Sequence, residues 1–346
     1  MNTWIVGIFI LILYLFFPYQ EEPISTKINN KLANYSWSYP TEKIYIHTDK
    51  SYYVAGEDIW FKAYLMIGPY HIPDSISTVL YVELIHSDGS LFDRKIIRMR
   101  EGLGWGDFDL PASTPPGKYL MKAYTRYMQN FDQAFFFRKG IQILPLLPKD
   151  RLPFEYNRTS SIQPENNEDL KPVSIQFFPE GGDLVQGLQN YIAFKATDRQ
   201  GTGMDVKGYV KNSQEIIITE FESQKFGLGY FTLNPVKDEK YVAIISMNDQ
   251  EYQFDLPPSL EKGYVMHINK SGDNVYIWVR NNMNAKMDHS FVIGQFRGFP
   301  FITIHARTGQ DFLYSVLNTN EVPSGIIHFT FFDSLGIPQC ERLVYT

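Results

Sequence analysis

Seven histidines, His47, His71, His86, His267, His289, His305 and His328, are the side chains here best suited to metal binding or proton transfer near neutral pH. A zinc hydrolase would need two of them one helical turn apart with a glutamate between, so that both imidazoles face one ion. No pair has that spacing. His328, on the strand face shared with Ile326 and Thr330, reads as a hydrogen-bonded packing residue. A Gly-x-Ser-x-Gly elbow, which would raise a serine nucleophile between strand and helix, is absent as well. The single cysteine, Cys340, lies in Pro338-Gln339-Cys340-Glu341-Arg342 and excludes an internal disulfide framework or a multi-cysteine metal cage. It reads as an unreactive thiol at a strand entry.

Other polar groupings read as architecture. Asp107 and Asp109 alternate with Phe108 and Leu110, so period two sends both carboxylates to one solvated face. A paired-acid glycosidase would need a second carboxylate across a cleft. Gly181-Gly182 and Gly104-x-Gly106 lack a following helix whose amino end could bind an anion, so they read as turns. Lys62 and Lys195 occupy matching positions and read as solvated. Phe135-Phe136-Phe137 is apolar on both faces and reads as a covered strand or a contact with a neighbouring domain. No catalytic residue, cofactor ligand or metal ligand is assigned, and the sequence implies an enzyme nowhere.

The elements that carry these residues are strands. Aromatic residues make up 16% of the chain, with 23 Tyr and 26 Phe, a composition suited to pleated, half-buried surfaces. Charge is modest: 32 basic against 38 acidic residues give −6, with no basic stripe for nucleic acid. At 346 residues the chain suits two or three domains. Gly104-Trp105-Gly106-Asp107-Phe108-Asp109-Leu110-Pro111 is echoed by Gly227-Leu228-Gly229-Tyr230-Phe231-Thr232-Leu233-Asn234-Pro235. Upstream, Gly56 with Phe61-Lys62-Ala63 is echoed by Gly187 with Phe194-Lys195-Ala196. A unit used twice implies tandem β-domains of one type.

The first domain, residues 41–148, is predicted to hold strands at 43–48, 58–65, 79–85, 91–99, 105–110, 118–127 and 133–143. Asp88-Gly89 marks a hairpin and Pro115-Pro116-Gly117 a turn. Residues 149–172, rich in Pro, Asn, Asp, Glu and Ser, read as a linker. A second domain spans 173–257, with strands at 174–178, 191–197, 206–211, 216–221, 230–233, 241–247 and 252–256, and a third spans 258–346. With no helical period after residue 20, the expected fold is all-β: three tandem immunoglobulin-like, seven-stranded sandwiches.

The amino-terminal 20 residues carry an unbroken apolar run of 14, residues 4–17. Its length fits the core of an export signal and falls short of the ~20 residues a spanning helix needs. No Lys or Arg precedes it and no small-x-small cleavage site follows, so an uncleaved membrane anchor stays open. Residues 21–40 read as a polar linker to the first domain.

Tyr45-Ile46-His47-Thr48-Asp49-Lys50, followed by Tyr53-Val54-Ala55-Gly56-Glu57 and Trp60-Phe61-Lys62-Ala63, resembles the macroglobulin-type sandwich of alpha-2-macroglobulin-like proteins, above all large exported forms from Bacteroidetes. Phe177-Phe178-Pro179-Glu180-Gly181-Gly182 is similar to their following domain. Gly325-Ile326-Ile327-His328-Phe329-Thr330 with Glu341-Arg342-Leu343 resembles a third. The resemblance covers residues 41–346 and implies a periplasmic or surface protein of a Gram-negative envelope. Its partners would be envelope proteins, such as outer-membrane transporters or proteases, with the membrane touched only through the amino-terminal segment. Inhibitor members trap proteases through a bait segment and often a Cys-Gly-Glu-Gln thioester. Here Glu341 and Arg342 follow Cys340, which excludes covalent trapping. The expected function is a non-enzymatic scaffold or protein-binding module. The alternatives are a protease inhibitor acting without a thioester, with 145–172 as its cleavable segment, and a carbohydrate-binding module using Trp105 or Trp278.

Overall fold

A computed structural model describes residues 22–68, 70–146, 171–198, 201–247 and 250–346. The apolar run at 4–17 and residues 149–170 of the linker lie outside the described residues. The fold is all-β. It parts into two compact units: one is Tyr35–Pro172 with Arg297–Phe299, the other Val173–Phe296 and Pro300–Thr346 with the residues up to Asn34.

In the Tyr35–Pro172 unit, Asp58–Ile67 pairs with Glu42–Thr48 on one side and Leu103–Asp109 on the other. A five-stranded sheet runs in the order Tyr52–Val54, Phe137–Leu144, Gly117–Tyr124, Val79–His86, Leu91–Arg98. Strict alternation drives the sandwich: Ile44 and Ile46 point inward while Tyr45 and His47 point out. Inward residues of both sheets, among them Leu65, Leu84, Phe108 and Ile143, form one core. The Asp88-Gly89 turn closes as the sequence predicts, with His86 N–H donating to Ser90 O at 2.8 Å.

The other unit holds two further cores. Around the first runs a continuous seven-stranded path, Ser174–Pro179, Asn190–Thr197, Leu228–Leu233, Ile217–Lys225, Lys207–Asn212, Tyr241–Met247, Gln250–Asp255. Register shifts at Val210/Lys211 and Ser223/Lys225 help it curl. The last core lies between a three-stranded sheet, Tyr264–Ser271, Asn274–Asn281, Phe312–Asn318, and a four-stranded one, Phe299–His305, Phe291–Phe296, Ile326–Phe332, Pro338–Tyr345.

The repeat has a packing cause. Phe61 faces Gly106 across its sheet and Phe194 faces Gly229. A Cβ on Gly106 would lie 2.9 Å from the Phe61 ring, and one on Gly229 would lie 2.4 Å from that of Phe194. Each glycine therefore leaves room for a buried phenyl ring to lie over the neighbouring strand. The last sandwich uses the same device as Gly294 beneath Phe329, 3.0 Å by the same measure, with the order along the chain reversed and so hidden from sequence comparison. Gly56 and Gly187 also match: both have positive φ, 96° and 73°, and their N–H groups donate to Leu110 O and Pro235 O.

Two expectations are corrected. Residues 21–40 are no polar linker, because Ile24–Ser38 is an α-helix. Ile28 and Leu32, one turn apart, pack on Phe291, Ile293 and Phe332 of the last sandwich, and Asn29 Nδ2 donates to Thr303 Oγ1 at 2.8 Å. An apolar stripe this narrow among polar residues gave almost no period to read. Nor does a strand begin at 133: Gln133–Phe135 is a 3₁₀ turn capped by Asp132, and the strand is Phe137–Leu144. Within Phe135-Phe136-Phe137, Phe135 is exposed while Phe136 is buried and stacked on Tyr124 at 5.1 Å.

Candidate functional site

Glu180 follows the Ser174–Pro179 strand, and Gly181 and Gly182 turn the chain away at φ of 92° and 119°. Its carboxylate is buried yet densely engaged. Oε1 accepts the Ile268 N–H at 3.1 Å and lies 3.1 Å from Arg342 Nε in an ion pair, and Oε2 lies 2.6 Å from His267 Nδ1. A carboxylate only accepts, so this contact places an imidazole proton on Nδ1. Beside it, Gly181 O accepts the Glu341 N–H at 3.2 Å. Two hydrogen bonds and an ion pair thus engage Glu180, which makes it a joint between the two sandwiches of this unit rather than a general base.

His267 begins a row of rings. Tyr191 stacks on it at 4.0 Å and 12°, Trp278 follows at 5.7 Å, and Tyr314 follows Trp278 at 5.4 Å. The register explains the row, because His267, Trp278 and Tyr314 are direct cross-strand partners on the outer face of the three-stranded sheet. Ile277 and Val279, their inward neighbours, are fully buried. A cavity of about 410 Å³ opens along the row, lined by Leu188, Trp278, Arg280, Asp311, Phe312 and Tyr314 among others. A neighbouring one of about 260 Å³ shares Leu188, Trp278 and Arg280 and adds Gln189, Tyr191 and His267.

The first sandwich carries a second aromatic face. Tyr45, Trp60 and Trp105 are 61%, 56% and 72% exposed on the outer side of its Glu42–Thr48, Asp58–Ile67 and Leu103–Asp109 strands. Lys62 faces Trp105 and Trp60 faces Asp107, so the two indoles are diagonal neighbours. Lys62 Nζ sits 5.2 Å over the Tyr64 ring. Among the described residues no aromatic ring stacks on either indole.

Two buried carboxylates of this sandwich differ in environment. Burial would raise the pKa of Glu83, but hydrogen bonds from Tyr124 and Arg94, with Lys122 nearby, bring it below the ordinary value. Among the described residues the donors to Glu42 are hydroxyls, those of Ser77 and Thr125. Burial, aided by neighbouring Asp74, outweighs them and pushes its pKa up to about 7.

The residues considered from sequence scatter. His47, His71, His289 and His305 are exposed, His86 pairs with Asp88 at 3.2 Å, and His328 lies 2.9 Å from Glu341. Among the described residues no three His, Cys, Asp or Glu side chains form a metal-binding group. Lys62, Lys195 and Asp109 face solvent. Cys340 is buried, with Sγ 3.2 Å from Tyr264 O, and burial pushes its thiol up to about 12. Among the described residues no helix is long and apolar enough to cross a membrane. Two phrases singled out in the sequence do meet, since Glu180 of the first binds Arg342 of the second. Sequence reading missed the ring row, whose signal was the alternation of Tyr276, Trp278 and Arg280 with Val275, Ile277 and Val279.

No family model matches the chain, and no curated protein matches it. Solved structures similar to it include Salmonella alpha-2-macroglobulin reacted with methylamine, at 8% identity over 88% of this chain and 23% of that one, TM-score 0.27. Dimeric latent PorU from Porphyromonas gingivalis aligns at 12% identity over 88% of this chain and 34% of its own, TM-score 0.35. The Escherichia coli adhesin FdeC aligns at 9% identity over 88% and 96%, TM-score 0.22. The chain thus spans about a quarter of the length of the alpha-2-macroglobulin, and none of these alignments is close enough to carry an argument about its activity.

Proposed function

We propose that this chain is a non-enzymatic, exported scaffold of the bacterial cell envelope that binds other envelope proteins through the outer face of its first sandwich. The observation that carries the reading is the uncovered cluster of Tyr45, Trp60 and Trp105, large aromatic side chains of the kind that anchor protein interfaces. The spent carboxylate of Glu180 supports it, since the buried acid nearest a cavity in the other unit is used as a structural joint. The test is capture from envelope fractions with the full chain and with a Trp60→Ala/Trp105→Ala variant. The reading expects a defined partner set that the variant loses while its circular dichroism stays unchanged; an identical set with both proteins would refute it. Protease assays separate it from inhibition: a scaffold leaves turnover of large and small substrates unaltered.

A further inference from the structure

We propose that the cleft beside the Trp278–Tyr314 row is a binding site for a short neutral oligosaccharide. This goes beyond the scaffold reading and involves a different sandwich, so either can fail without the other.

Shape comes first. The cavities of about 410 Å³ and 260 Å³ adjoin through Leu188, Trp278 and Arg280, and the larger falls in the size range of small-ligand sites. Their floor is firm: Val279 and Leu313, whose side chains point the other way, are buried in the core, and Asn281 Nδ2 ties the rim by donating to Asp311 O at 3.0 Å.

The lining is of two kinds. Trp278, Tyr314 and Phe312 offer apolar ring surface, with Phe312 41% and Tyr314 46% exposed. Around them stand polar groups with nothing to bind. The side chains of Gln189, Arg280 and Asp311, the indole N–H of Trp278 and the hydroxyl of Tyr314 have no hydrogen-bond or ion-pair partner among the described residues. A pyranose matches both halves at once: its C–H face lies against aromatic rings while its hydroxyl rim both donates and accepts. Arg280 supplies donors only and the Asp311 carboxylate acceptors only, a combination that adjacent hydroxyls satisfy together.

Other small ligands fit less well. A phosphate or other anion drawn by Arg280 would meet the negative charge of Asp311. A lipid chain would strip water from both charged groups and give no hydrogen bond in return. The face of the first sandwich is richer in exposed indole, but Lys62 and Asp107 interleave its rings.

The test uses the full chain on a glycan array, followed by titration calorimetry with gluco-, galacto-, manno- and N-acetylglucosamine-based disaccharides. Binding of at least one neutral glycan is expected. Trp278→Ala should weaken it by about tenfold, the scale of one lost aromatic contact. Because Trp278→Ala also removes packing, Arg280→Ala and Asp311→Asn serve as second variants. Both alter exposed, unpartnered side chains, so each should lower affinity severalfold with an unchanged melting temperature, while Trp105→Ala leaves affinity as it was. Absence of glycan binding at millimolar concentration would overturn the proposal. So would glycan binding that survives both Arg280→Ala and Asp311→Asn, or a preference of the cleft for an extended peptide laid along Phe312–Asn318.

Discussion

Two sheet faces in this molecule carry nearly the same side chains and behave differently. On the first sandwich Tyr45, Trp60 and Trp105 stand largely in solvent. On the last sandwich Trp278, His267 and Tyr314 form a stacked row. Strand alternation puts both sets on outer faces, so alternation alone does not decide the outcome. The cross-strand partner does. Trp105 is opposite Lys62 and Trp60 opposite Asp107, which interrupt the rings, whereas Trp278 has a ring on either side. Tyr191 and Glu180 then fix the inner end of the row by holding one face and the edge of the His267 imidazole.

The sharpest way to break this contrast is at Glu180. Glu180→Ala leaves Arg342, His267 and the Ile268 N–H without their shared acceptor, and it should cost roughly 2–4 kcal/mol. Hydrogen exchange should speed up at Ile268 and along Tyr264–Ser271. Asp109→Ala on the open face should stay within about 0.5 kcal/mol of wild type. Equal effects of the two changes would mean that the joint does not organise the row.

The first sandwich also holds a buried acid, Glu42, whose state depends on pH. The pKa of Glu42 rises from its ordinary 4.5 to about 7, so the folded first sandwich keeps a proton that the unfolded chain has already released. Folding then binds protons in that window. The contribution of Glu42 is fully present below about 4.5 and is lost as pH climbs through 7, by at most about 3.5 kcal/mol at 1.4 kcal/mol per unit. Urea unfolding of the Tyr35–Pro172 unit, followed between pH 4 and 8, should show this slope, and Glu42→Gln should flatten it. A slope that survives the substitution would assign it to another group.

How much of this could be read beforehand follows from range. Period-two alternation is local, so the strands around Ile44, Phe61 and Phe194 were legible, and so was the all-β class. The phrases containing Glu180 and Arg342 stood out as well, yet their meeting did not, because 162 residues separate them and only the tertiary fold sets the distance. The helix at Ile24–Ser38 was missed for a related reason: it depends on Phe291 and Phe332, far along the chain, to cover two apolar residues. The row through Trp278 needed the pairing of three strands, which composition does not specify.

The two copies of the glycine device are expected to differ as well. A Cβ at Gly229 would come within 2.4 Å of the Phe194 ring and 2.7 Å of the Glu222 carbonyl, and backbone cannot step aside. At Gly106 the nearest atoms, Ile97 Cδ1 at 2.7 Å and Phe61 Cζ at 2.9 Å, are ends of side chains that can shift. Gly229→Ala should therefore cost about 1–3 kcal/mol and Gly106→Ala less, by chemical denaturation of each variant.

The smallest expected effect returns to the two faces themselves. Rings that stack contribute roughly 0.5–1.5 kcal/mol beyond the area they bury. A double-mutant cycle on Trp278 and Tyr314 should recover a coupling of about that size, because each ring is the other's direct partner. The same cycle on Trp60 and Trp105, diagonal neighbours without ring contact, should give a coupling near zero. A sizeable value there would show the indoles of the first face leaning on each other in solution, and the distinction between a stacked row and an open face would no longer hold.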